Sequence, residues 1–333
     1  MINDNIFARR ALDTLRIKQI RKNVNSFFEK RLIFGKIDVI IMMSQNDIRF
    51  HFYLFNSMEG FMNNHIGICE WSLPSVGPLS LHFAKEAGFD GIQLGDLGGM
   101  GLNYPLNHPR IQQSYLEAQQ ETGIAIQAVH LHTLVRDGTM LYSPTSAQGQ
   151  LAVTSIRKGV DACAALGAPV LMLSSFFASL VQNEYEFETF AEHLKLACAY
   201  GADHGVCICY ESVLPAWRIL KMLERVGNGL RICYDLINPI RCGSGIPADE
   251  ILQLGTNVID HFHVKDTSED MKSYCLIGTG RGEIGKSVES IHKIGYCGWF
   301  ISENYYFRSP IGSCSDPFVQ AAADASTMRK LFM

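Results

Sequence analysis

From Ile66 to the C-terminus the chain repeats one pattern. A short apolar run ends in a polar or charged residue, a helical stretch follows, then a glycine or turn, and then the next apolar run. Eight runs read as strands: Ile66–Trp71, Gly91–Leu94, Ala125–His132, Val170–Ser174, Val206–Glu211, Leu230–Asp235, Val258–Val264 and Trp299–Glu303. The intervening helical stretches include Leu79–Ala87, Ile111–Thr122, Gln150–Leu166, Phe187–His204 and Val288–Ile294. Gly88, Gly123, Gly167, Gly205 and Gly295 stand where a helix ends in left-handed backbone.

Strands alternating with helices call for parallel strands joined by crossovers. The runs are continuously apolar, as strands covered on both faces are. Eight such units in about 270 residues match an α/β protein built as a (β/α)₈ TIM barrel. A doubly wound open sheet is the competing arrangement. No linker interrupts residues 63–333, which read as one catalytic domain.

Composition sets the first 62 residues apart. They hold none of the 11 Pro, none of the 10 Cys and 2 of the 29 Gly, with 10 Lys and Arg against 6 Asp and Glu. The rest of the chain is acidic. Residues 1–62 therefore read as a non-barrel N-terminal extension outside the fold rather than a secretory signal; Met62 is an alternative start, because the folded pattern begins just after it. Arg9, Arg10, Arg16 and Arg21 resemble a mitochondrial leader, but Asp4 and Asp13 weigh against one. Ten cysteines without a secretion signal fit reduced thiols and a cytoplasmic protein. The acidic body argues against a nucleic-acid partner. No apolar run approaches the ~18 residues of a membrane span.

In a barrel, chemistry concentrates at the C-terminal strand ends. The last four strands bring Glu211, Asp235, His263 and Glu303 to that rim. Three carboxylates and an imidazole would repel one another without a cation. An oxygen-rich set with one nitrogen suits Mn²⁺ or Mg²⁺, with Co²⁺ and Zn²⁺ as alternatives. His261 shares a face with His263 and competes with it for this role.

The motifs YES (210–212), YDLINP (234–239), HFHVKD (261–266), LIGTGRGEIG (276–285) and IGYCGWFISEN (294–304) resemble the sugar phosphate isomerase/epimerase group of xylose isomerase-like barrels. The resemblance extends more weakly through EAGFDGIQL (86–94), IQAVHLH (126–132) and LGAPVLML (166–173). It implies that Glu211, Asp235, His263 and Glu303 are metal ligands, and it selects His263 over His261. It also implies that Glu211 and Glu303 are the acid/base pair of an isomerase or epimerase working through an enediolate. A dehydratase acting on an inosose- or dehydroshikimate-type substrate is the alternative on the same scaffold. Two positions depart from the ketose 3-epimerases: Asn238 stands where they carry His, and Glu269 where they carry Arg. Endonuclease IV, a distant member, uses many more His and Asp ligands than this chain offers.

Other residues are candidates for a sugar or polyol substrate. His130 and His132 alternate on the third strand and should point together into the barrel mouth. Trp71, at the end of the first strand beside Glu70, could wall the substrate. Lys265 could bind substrate oxygens or pair with Asp266. Asn238 and Arg281 complete the substrate-binding candidates. Cys207 and Cys209 read as core residues. The run GRGEIGKS (280–287) fits a P-loop letter for letter, which raises an NTPase as a remote alternative; only one strand follows it, so a substrate phosphate is the more natural ligand. A homo-oligomer is compatible with the sequence, since many such barrels pair.

Overall fold

The computed structural model describes residues 28–34, 37–44, 47–56, 64–96, 103–272, 274–308, 310–314 and 316–333. The chain divides into two compact units, Met1–Phe61 and Met62–Met333. The arginines at positions 9–21 and Met62 lie outside the described residues. In the first unit, β1 (Phe28–Phe34), β2 (Ile37–Ser44) and β3 (Asp47–Asn56) form an antiparallel sheet in the order β1–β2–β3.

In the second unit eight parallel strands close on themselves. They are β4 (His65–Cys69), β5 (Gly91–Gly95), β6 (Ala125–His130), β7 (Val170–Ser175), β8 (Cys207–Ser212), β9 (Leu230–Asp235), β10 (Ile259–Val264) and, after a small hairpin of β11 (Asp266–Thr267) and β12 (Tyr274–Cys275), β13 (Trp299–Ser302). Pairing of β13 with both β10 and β4 shuts the ring. The open-sheet alternative is thereby set aside. Helices Leu79–Ala87, Pro109–Thr122, Ala147–Leu166, Glu184–Asp203, Ala216–Val226, Pro247–Leu254, Ile284–Lys293 and Pro317–Phe332 supply the outer layer.

Local sequence sets these boundaries. Ser146 and Asn183 cap the helices that follow them, accepting from the amides of Gly149 and Glu186. Gly88, Gly123 and Gly167 end their helices at positive φ. Gly91 is small for another reason: a Cβ there would lie 2.6 Å from the Trp299 ring of β13's barrel side.

The main apolar core lies between sheet and helices, as when strands are apolar on the outward face. A second, small cluster of Ala128, Val170, Met172, Cys209 and Cys233 fills the ring itself. The interior also holds polar side chains, with Gln93, Gln127, His261 and His263 all buried. Register then places the rim. Asp235 pairs with His263 across β9 and β10, and Ser174 with Glu211 across β7 and β8.

Three strands stop short of the expected end. β4 stops at Cys69, and Glu70–Ser72 form a 3₁₀ turn. β6 stops at His130, and His132 begins a short helix, His132–Asp137. Leu131, with ψ near 80°, breaks the strand between the two histidines. β13 stops at Ser302, so Glu303 stands one residue beyond it.

Candidate active site

Glu211, Asp235, His263 and Glu303 converge at the C-terminal rim. One ligand atom from each lies within 4.8 Å of the others. The fold holds the opposite atom of every one. Ser174 Oγ donates to Glu211 Oε2 at 3.0 Å. The amides of Ile237 and Asn238 both donate to Asp235 Oδ1 at 2.7 Å. Trp71 Nε1 donates to Glu303 Oε1 at 3.0 Å. Each carboxylate therefore keeps one oxygen on the protein and turns the other inward.

His263 is oriented through the barrel interior. Asp260 Oδ2 accepts from His261 Nδ1 at 2.8 Å, which leaves His261 Nε2 as an acceptor. Gln93 Nε2 donates to that nitrogen at 2.8 Å and to Gln127 Oε1 at 2.7 Å. Gln93 Oε1 is thereby turned to His263 Nε2, 2.8 Å away, and accepts its proton. His263 Nδ1 is left facing Glu211 Oε1 at 3.1 Å and Glu303 Oε2 at 3.6 Å. A lone pair against two carboxylates demands positive charge between them.

Two features express that demand. Burial works to lower the His263 pKa, yet Glu211 and Glu303 outweigh it and hold the imidazole above its usual value. Lys265 Nζ lies 2.7 Å from Asp235 Oδ2 and 2.5 Å from Glu303 Oε2. Burial works to raise Glu303, but Lys265 and His263 pull its carboxyl down to about 2. Carboxylate oxygens with one imidazole nitrogen, each fixed from behind, fit a hard or borderline divalent cation. Cys233 with His261 and His263, and Cys209 with Asp260 and His261, also lie close together. Burial holds both thiols well above their usual pKa.

The remaining candidates divide. Trp71 packs against His130 and His132, with ring centroids 5.3 and 4.6 Å away, and the two histidine rings are 4.2 Å apart. The turn at Leu131, rather than strand alternation, brings them together. Asn238 contributes its backbone amide to Asp235. Lys265 pairs with Asp235 and Glu303 instead of Asp266, because residues 263 and 265 share a strand face and 266 points away. Arg281 is not brought to the cluster; it makes an exposed ion pair with Glu269.

Asp266 explains the P-loop-like letters. Its carboxylate accepts from the amides of Gly278, Gly280 and Gly282, all within 3.0 Å, and from Thr267. The cradle that a phosphate would need is filled by a side chain of the protein. Lys286 pairs with Glu283 on the surface.

Sequence reasoning passed over Gln93, Gln127, Ser174 and Asp260. A glutamine within the apolar run GIQLG was the available signal, because a buried amide needs partners.

A closed parallel barrel that gathers ionisable side chains at its C-terminal rim defines an enzyme of the (β/α)₈ class. Residues 81–331 match the family described as xylose isomerase-like TIM barrel. The chain belongs to that family. A relative from Actinoplanes sp., 2-epi-5-epi-valiolone 7-phosphate 2-epimerase, is 29% identical over 231 residues, which cover 69% of this chain and 83% of that one. D-psicose 3-epimerase from Clostridium cellulolyticum H10, solved with D-tagatose, superposes with a TM-score of 0.66 at 15% identity, covering 80% of this chain and 99% of its own. The 3-keto-D-glucoside 4-epimerase from E. coli gives 0.62 at 16% identity, with the same coverage. At such identities the structural likeness is one of fold. No helix among the described residues is long and apolar enough to cross a membrane.

Proposed function

We propose that the protein is a divalent-metal-dependent isomerase or epimerase of a sugar or sugar phosphate. The carrying observation is the convergence of Glu211, Asp235, His263 and Glu303, with inward atoms within 4.8 Å of one another. These four residues would hold the ion, with Mn²⁺ first and Mg²⁺, Co²⁺ and Zn²⁺ as alternatives. When bound, it supplies positive charge that stabilises the oxygen of a substrate carbonyl as that oxygen gains negative charge. The Actinoplanes relative, named as an epimerase of a 7-phosphate, supports the substrate class. An acidic body with buried free thiols suits a small-molecule substrate in the cytoplasm.

The chain's own groups then move the proton. Glu303, held ionised by Lys265 and His263, is ready to take a proton from the carbon beside the carbonyl. Glu211, steadied by Ser174, is the partner acid. Carboxylates on two sides of that carbon remove a proton from one face and return it to the other, which is epimerisation. One carboxylate serving adjacent carbons gives aldose–ketose isomerisation through an enediolate. Lys265 and the Trp71–His130–His132 wall bind and orient the substrate.

Dehydration of an inosose- or dehydroshikimate-type substrate starts with the same proton removal. One observation favours keeping it: Asn238 and Glu269 replace the His and Arg of ketose 3-epimerases, and Glu269 is spent on a surface pair with Arg281. Product absorbance separates the two reactions.

The test is metal analysis followed by solvent-deuterium exchange over ketoses, inososes and their phosphates. Glu211→Gln and Glu303→Gln should each lower exchange by about 10²–10⁴-fold. Full turnover in both variants would show the acid/base assignment to be wrong.

A further inference from the structure

We propose that His130 Nδ1 accepts a hydrogen bond from a substrate hydroxyl, and that Ser174 sets the tautomer that makes it an acceptor. The inference rests on the isomerase reading of this site and names the substrate group that one corner of it takes.

The argument runs outward from Glu211. Ser174 Oγ gives its only proton to Glu211 Oε2. Towards His130 Nε2, 3.0 Å away, Ser174 can then only accept. His130 therefore carries its proton on Nε2, and Nδ1 presents a lone pair. That nitrogen is buried and has no hydrogen-bond partner among the described residues. Burial, with His132 and His263 nearby, holds the imidazolium pKa well below its usual value, so the ring stays neutral.

Position makes the unspent acceptor relevant to substrate. Ser174 joins His130 to Glu211, and Trp71, which packs on the His130 ring, bonds Glu303. The ring thus lies between the supports of both proposed acid/base carboxylates. A buried acceptor left without a donor is destabilising. A hydroxyl supplies the donor. Phosphate and carboxylate oxygens place lone pair against lone pair. A substrate bound here therefore turns a hydroxyl-bearing carbon toward His130 and keeps any phosphate at another part of the rim.

Two measurements test this on the full chain. The first is the tautomer, read from ¹⁵N shifts of the His130 ring in wild type and Ser174→Ala. Nε2–H is expected in wild type, with a mixture once Ser174 is gone; a proton on Nδ1 in wild type overturns the proposal. The second uses xylitol as a polyol probe on the Mg²⁺-loaded protein, by calorimetry. H130F should bind xylitol about tenfold more weakly, and H130Q, which restores an acceptor, should recover most of that loss. Equal affinity in wild type and H130F, or no xylitol binding by the loaded wild type, overturns the hydroxyl assignment. Failure to bind metal at all would instead overturn the reading of the site on which it rests.

Discussion

Trp71 donates its indole N–H to Glu303 at 3.0 Å, tying the turn after the first barrel strand to the end of the last. That turn is itself anchored. Buried Glu70 accepts from Tyr115 Oη and from the amides of Gly77 and Gly95. Trp71→Phe keeps a ring against His130 and His132 but removes the donor. Loss of one hydrogen bond to a charged group should cost about 1.5–3 kcal/mol of Glu303 orientation. The expected result is a fall in kcat of about tenfold with a small change in KM, measured on whichever substrate shows exchange. An unchanged kcat would mean that Lys265 alone positions Glu303.

The glycine-rich loop yields a contrast between a buried and an exposed residue. Asp266→Ala leaves the amides of Thr267, Gly278, Gly280 and Gly282 without their acceptor. Thermal or urea unfolding should show a loss on the order of 3 kcal/mol. Lys286→Ala removes only an exposed pair with Glu283 and should leave stability and turnover unchanged. Calorimetry with Mg·ATP should give no binding heat. Nucleotide binding that disappears in Lys286→Ala would restore the P-loop reading.

These two cases show what was legible beforehand. Apolar runs bounded by glycine located all eight barrel strands to within a few residues, because burial on both faces leaves a strong local signature. The rim residues were legible for a related reason: Glu211, Asp235 and Glu303 are the polar ends of such runs, and His263 lies one residue before the end of its own. Partnership was not. Lys265 reads equally well as a mate for Asp266 or for a substrate until the strand face is known. Gln93 and His261 meet from strands 168 residues apart in sequence, and no local pattern encodes that meeting. GRGEIGKS carries the letters of a phosphate loop, and only the fold shows Asp266 inside it.

Asp324 gives a prediction in pH. Its buried carboxyl accepts from the Ile277 amide, Asn304 Nδ2 and Tyr306 Oη. Burial pushes its pKa from 3.8 up to about 6, against the pull of these donors. Between those values the folded protein keeps a proton that the unfolded chain has released. This group's contribution to stability is therefore greatest below pH 4, falls as pH rises, and levels off above 6. The fall amounts to something on the order of 3 kcal/mol. Unfolding free energies of wild type and Asp324→Asn across pH 4–7 should converge or cross in that direction, with the variant gaining relative to wild type as pH rises. A difference independent of pH would place the carboxyl's titration elsewhere.

Gln93 is the most consequential residue that touches none of the rim carboxylates. Its carbonyl holds His263 Nε2, and its amide group holds His261 and Gln127. The side chain thus sets which nitrogen of His263 faces Glu211. Gln93→Met fills similar volume but supplies neither the acceptor nor the donors. His263 then loses the bond that fixes its ring, and His261 loses a donor while its own link to Asp260 remains. Loss of such an outer partner costs about 10–100-fold in metal affinity. Competition against a calibrated chelator, with Mn²⁺ and Zn²⁺ in turn, reads that loss without any substrate. Circular dichroism and the unfolding midpoint separate it from general misfolding. Direct removal of an inner atom in Asp235→Ala should weaken binding further still. If Gln93→Met bound Mn²⁺ as tightly as wild type while Asp235→Ala did not, the carboxylates alone would orient His263, and the polar interior of the barrel would serve packing rather than the site.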